Sequence, residues 1–120
     1  MKRQIPGDIY LEFPCSVVAV GCAMGITSSD ALQGLKSADL HSDGYLSLKA
    51  MESLIKANMD VKGKVYYKRA ERMALRDFAH ANEGRKAIIC LLGHYVYFDG
   101  HDYHSFFWNG SDPVVQAWYI

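Results

Sequence analysis

Three side chains of this 120-residue chain combine into a coherent chemistry: the thiol of Cys15, the imidazole of His94 and the carboxylate of Asp112. A thiolate attacks a carbonyl carbon, an imidazole moves the proton, and a third polar group behind the imidazole holds its tautomer. Cys15 follows Phe13-Pro14 and opens the apolar run CSVVAVGCAMG, with Cys15, Val18, Ala19 and Cys22 at positions 0, +3, +4 and +7. That spacing predicts a buried helix beginning at the cysteine. The first turn of a helix leaves backbone N–H groups unpaired and carries partial positive charge, and both lower a thiol's pKa. The N–H of Cys15 is also a candidate oxyanion donor. Cys22, amid Val20, Ala23 and Met24, and Cys90, within AIICLL, read instead as small buried hydrophobes.

His94 follows Gly93 at the head of the aromatic segment HYVYF, and the glycine permits close approach. Asp112 lies eighteen residues further on, in the turn before the last predicted strand, and is expected beside His94 across the sheet. No CxxC or HExxH occurs, and His101-Asp102-Tyr103-His104 lacks a third ligand at a recognisable spacing, so neither a metal nor a cofactor is predicted.

The elements that must position these groups fall into two halves. Residues 14–60 read as helical: the helix at Cys15, a second from the capping cluster Thr27-Ser28-Ser29-Asp30 to about Lys36, and a third capped by Ser47 with Leu48, Met51, Leu54 and Ile55 inward. Residues 61–120 read as a sheet half, with a strand at 61–67, a helix at 69–81 ending at Gly84, and strands at 86–92, 94–98, 103–108 and 114–119. Helices first and an antiparallel meander afterwards predict an α+β fold in one domain over 1–120. In the 69–81 helix, Leu75, Phe78 and Ala79 face the core. Arg69, Arg72 and Arg76 recur at 0, +3 and +7, either as a solvated face or as a site for an acidic protein partner.

Composition narrows the function classes. Thirteen Lys plus Arg balance thirteen Asp plus Glu, and a net charge of zero gives no footprint for nucleic acid. The longest apolar stretch is broken by Gly21 and Gly25 and is too short to span a bilayer, so no membrane anchor is predicted. The N-terminus carries Asp8 and Glu12 and does not read as a secretory signal. Three cysteines cannot all pair, and a cytoplasmic location with at least one free thiol is expected.

Taken together, Cys15 opening a helix, the run KAIICLLGHYVYFDG and the later Ser111-Asp112-Pro113 resemble the papain-like cysteine peptidases. Within them the chain is most similar to the small bacteriocin-leader (double-glycine) peptidase domains, over nearly its whole length. The resemblance implies a minimal papain-like fold and a thiol protease or amidase acting on a peptide or protein substrate. In that reading Cys15 is the nucleophile, His94 the general base and acid, and Asp112 the orienting acid. The family carries an oxyanion glutamine about six residues before its cysteine. Ile9 stands there, and Gln4 is the glutamine further upstream. Cell-wall amidases of the same superfamily carry Cys-Ser, as in Cys15-Ser16, and often a second histidine, which makes His104 the alternative third member. The absent glutamine supports a second reading, a papain-like fold that has lost catalysis and acts as a protein-binding or inhibitory module.

Overall fold

A computed structural model describes residues 15–27, 30–31, 47–105 and 108–120. Gln4, Pro14, the second expected helix beyond Ala31, and Phe106 and Phe107 lie outside the described residues. In chain order the described elements are α1 (Cys15–Met24), α2 (Leu48–Asn58), β1 (Gly63–Tyr66), a 3-10 turn (Arg69–Glu71), α3 (Leu75–Ala81), β2 (Ala87–Leu91), β3 (His94–Phe98), β4 (Tyr103–His104) and β5 (Val114–Tyr119). The fold is α+β, with helices leading and a five-stranded antiparallel sheet following.

Local chemistry sets the helix starts. Ser47 caps α2, its Oγ accepting from the Ala50 N–H at 3.2 Å. Thr27 Oγ1 likewise accepts from Asp30 N–H at 3.1 Å. The helix expected over 69–81 is divided in two. The Met73 carbonyl accepts from the Val114 N–H at 2.8 Å, and Ala74 bridges Pro113, so this stretch is drawn into sheet-like pairing before α3 begins. The three arginines therefore do not share one helix. Arg69 sits in the 3-10 turn, Arg72 beyond it with its Nε donating to the Tyr67 carbonyl at 3.4 Å, and Arg76 in α3.

Strand order also departs from a simple meander. The sheet runs β1-β5-β2-β3-β4, so the last strand returns to pair with β2 instead of continuing past β4. All five residues of β2 are buried, because helices cover both faces of the sheet. Alternation divides them. Ile88 and Cys90 face α1 and α2, in a cluster with Cys15, Ala19, Val20, Met51, Leu54, Ile55, Tyr95, Tyr97 and Trp118. Ala87, Ile89 and Leu91 face α3, with Leu75, Phe78, Val96, Phe98 and Tyr103. On β5 a register shift opposite Cys90 and Leu91 inserts an extra residue, so that Val115 joins the first cluster while Val114 and Ala117 join the second.

One polar group ties the α1–α2 layer to the sheet. The Glu52 carboxylate of α2 accepts from Lys56 at 2.9 Å, from Lys64 of β1 at 3.0 Å and from the Trp118 indole N–H of β5 at 3.1 Å. The Lys56 bond, then those of Lys64 and Trp118, hold its carboxyl down to about 2 from an ordinary 4.5. A depressed carboxyl contributes stability above its unfolded value and loses it as pH falls, here between about 4.5 and about 2. Both lysines are half exposed, so screening reduces the contribution to roughly 1 kcal/mol. Glu52→Gln is therefore expected to lower denaturant stability by roughly that amount at neutral pH, with the two proteins converging near the acid end of the window.

Candidate functional site

Two local rules bring the thiol to the start of β3. The hairpin between β2 and β3 turns on Leu92 and Gly93 alone, with Gly93 at φ 73°, the left-handed region where glycine is unstrained. In such a hairpin Leu91 and His94, the pair flanking the turn, exchange both hydrogen bonds. The next pair, Cys90 and Tyr95, is then non-hydrogen-bonded, and the Tyr95 N–H points away from β2. On that side, among the described residues, β4 pairs with Tyr97 and Phe98. Cys15, the first residue of α1, occupies this place. Its sulfur faces the main-chain N–H groups of Tyr95, Ser16 and Cys15 itself.

The thiol is 7% exposed. Burial pushes its pKa above the ordinary 9.0, and the three N–H groups offset part of that rise. Desolvation thus outweighs the helix terminus, so the thiol's pKa moves up where the sequence position leads one to expect it lowered. The same N–H groups are placed to stabilise negative charge on sulfur once a base has removed the proton. Beside the thiol, Ser16 is 1% exposed and its hydroxyl has no hydrogen-bond partner among the described residues. A buried hydroxyl without a partner costs roughly 1–3 kcal/mol.

His94, adjoining Tyr95 and 6% exposed, has its Nε2 2.7 Å from the Ser105 hydroxyl. Ser105 follows β4, and the register Tyr97↔His104 carries it to the position opposite Val96, diagonal to His94 on the same face. The place behind the imidazole that sequence assigned to Asp112 is thereby held by Ser105. Asp112 serves another purpose. Its Oδ2 accepts from the Asn109 N–H at 3.1 Å and its carbonyl accepts from the Leu75 N–H at 2.8 Å, closing the loop that caps α3. That loop enters β5, which lies on the far side of β2 from β3. His104, the alternative third member, pairs instead with Asp99, Nε2 to Oδ2 at 2.8 Å, and lies against the Tyr97 ring. Burial works to raise the Asp99 carboxyl, but the His104 bond and the N–H groups of His101 and Asp102 leave it lowered. The pair belongs to the β3–β4 turn.

Ser105 was not among the residues picked out from sequence. The one available signal was the strand register, which an isolated HSFFW segment does not display. None of the three cysteines is in a disulfide, and Cys15 and Cys22, both on α1 and seven residues apart, are about 10 Å apart along the axis, too far to bridge. Among the described residues no group of three or more His, Cys, Asp or Glu is gathered to hold a metal ion. Among them, too, no helix is long and apolar enough to cross a membrane.

Two outcomes follow from this geometry. Because the thiol is raised above 9.0, alkylation of Cys15 by iodoacetamide is expected to be slow at neutral pH and to accelerate only as pH climbs past that value. Mass mapping of the labelled cysteine against pH checks it. Ser105→Ala leaves a buried ring nitrogen without its hydroxyl partner and is expected to cost about 1–3 kcal/mol in denaturant unfolding, whereas Asp112→Asn, at the surface loop, is expected to cost less. Comparison of the chain with protein-family models, curated proteins and solved structures returns no match.

Proposed function

We propose that this chain is a cysteine hydrolase that cleaves an amide bond of a peptide or protein through an acyl-enzyme on Cys15. The observation that carries the reading is the Cys15 sulfur, seated at a helix N-terminus against three main-chain N–H groups, one of them that of Tyr95, the residue that follows His94 in β3. With the His94 Nε2 engaged by Ser105, Nδ1 is the nitrogen assigned to proton transfer. The proton of the Cys15 thiol passes to His94 as sulfur bonds to the substrate carbonyl carbon; the amine leaves with that proton, and water, deprotonated by His94, hydrolyses the thioester and regenerates the thiol. Ser105 is the positioning residue. A hydroxyl orients the ring without adding negative charge behind it, so it stabilises the imidazolium less than a carboxylate does.

A second reading rests on the burial of Cys15 and its raised thiol: the fold holds a protein partner without turnover, as a binding or inhibitory module. A surface for an acidic partner belongs to that reading, with Arg69, Arg72 and Arg76 distributed over two elements and the segment between them. A cytoplasmic location is consistent with three free thiols.

The two readings separate on a peptidyl vinyl sulfone, which requires a histidine-assisted thiol. Under the hydrolase reading it labels Cys15 stoichiometrically, Cys15→Ala abolishes labelling while retaining the fold by circular dichroism, and His94→Ala slows labelling by about 10²-fold or more. Labelling confined to Cys22 or Cys90, or an unchanged rate in His94→Ala, rejects the hydrolase.

A further inference from the structure

β1 stands at one end of the sheet, paired with β5 along a single edge. The Tyr67 N–H donates to the Val115 carbonyl at 2.9 Å, which makes Tyr67 and Val115 a hydrogen-bonded pair. Antiparallel pairs alternate, so Val65 and Ala117 are bonded in the same way, while Lys64–Trp118 and Tyr66–Gln116 are non-hydrogen-bonded pairs. The N–H and C=O groups of Lys64 and Tyr66 therefore point away from β5, and among the described residues no strand meets them. Tyr66 is 57% exposed. Four main-chain groups along one open edge are a template for a further strand.

Charge along this edge selects the strand. Residues 61–69 read VKGKVYYKR and hold Lys62, Lys64, Lys68 and Arg69 with no Asp or Glu, in a chain whose net charge is zero. Glu52 takes up Lys64 at 3.0 Å. Lys62, Lys68 and Arg69 are exposed and have no acidic partner among the described residues. At the Gly63 end, Lys62 joins Arg85 and Lys86 around a cleft of about 370 Å³, where the Arg85 guanidinium lies 3.8 Å over the Tyr119 ring. Stacking holds that guanidinium by its face and leaves its N–H edge for a carboxylate. A second copy of β1 is the poorer occupant. Antiparallel self-pairing through all four main-chain groups sets Lys62 opposite Lys68, like charge against like. A strand carrying carboxylates meets opposite charge at both ends. Lys62 and Lys68 lie roughly 20 Å apart in extended chain, so about seven residues span them.

We propose that the β1 edge binds an acidic peptide segment of a protein partner as an added β-strand. Its main chain bonds to Lys64 and Tyr66, and its carboxylates reach Lys62 and Arg85 at one end and Lys68 and Arg69 at the other. Strands β5 and β2 separate this edge from β3, so it does not depend on turnover at Cys15. Of Arg69, Arg72 and Arg76 it uses the first alone.

NMR titration of the 15N-labelled full-length protein with an N-acetylated, C-amidated heptapeptide of alternating Glu and Val tests it, with amide hydrogen exchange read at Lys64 and Tyr66. The peptide is expected to give saturable shifts along residues 62–69 and to slow exchange at those two amides by about tenfold or more. Lys62→Glu combined with Lys68→Glu, both at exposed positions, is expected to weaken binding by about tenfold or more, and added salt to weaken it in the wild type. The same peptide with Lys in place of Glu, or with its backbone amides N-methylated, is expected not to bind. Cys15→Ala is expected to bind with unchanged affinity, so rejection of the hydrolase leaves this result standing. Equal binding of the N-methylated peptide or unchanged affinity in the double variant overturns the proposal. Protection of Lys64 and Tyr66 that rises with protein concentration alone overturns it in favour of self-pairing. Binding to phosphatidylserine vesicles but not to the peptide overturns it in favour of a membrane surface.

Discussion

The two-residue turn at Leu92-Gly93 is the constraint from which the site is built. It fixes the alternation of the β2–β3 hairpin, and that alternation decides which main-chain groups the sheet leaves free. Were the loop one residue longer, Tyr95 would exchange its bonds with β2 and the α1 N-terminus would meet a side chain rather than an N–H. The Tyr95 N–H thus points to the side of β3 away from β2. A buried N–H needs a partner, and Cys15 supplies one.

The helix that delivers the thiol is apolar almost all round, with every residue from Cys15 to Gly21 buried. Burial and reactivity pull in opposite directions here. Packing α1 against β3 places the sulfur accurately, but removing it from water penalises the thiolate more than the helix terminus and N–H groups favour it. Burial therefore raises the thiol's pKa while the backbone N–H groups beside it offset part of the rise.

Polar groups are placed sparingly in this core, which makes each informative. His94 with Ser105 spends a buried pair on holding one ring in one orientation. Glu52 is the reverse case, a carboxylate at the edge of the core whose three donors knit α2, β1 and β5 together. Ser16, by contrast, is buried beside the thiol with no hydrogen-bond partner for its hydroxyl among the described residues.

Much of the architecture could be read from local patterns alone. The 3.6-residue spacing around Cys15, the Ser47 cap, and the short apolar and aromatic runs AIICL and HYVYF on either side of a glycine turn name their own elements, because spacing, capping and turns depend on neighbours a few residues away. Local spacing failed at Arg69–Ala81, where pairing of Met73 and Ala74 with Val114 and Pro113, about forty residues later, overrode helical periodicity. It failed again for Asp112, whose eighteen-residue separation from His94 was read as adjacency. The return of β5 to β2 placed the Asp112 loop on one side of the hairpin and Ser105 on the other. The sequence by itself determined the α+β class, the helix start at Cys15 and the strand start at His94. Which group stands behind the imidazole, and that burial raises the thiol's pKa, were decided only by strand order, register and burial, since these join residues that no short window of sequence contains together.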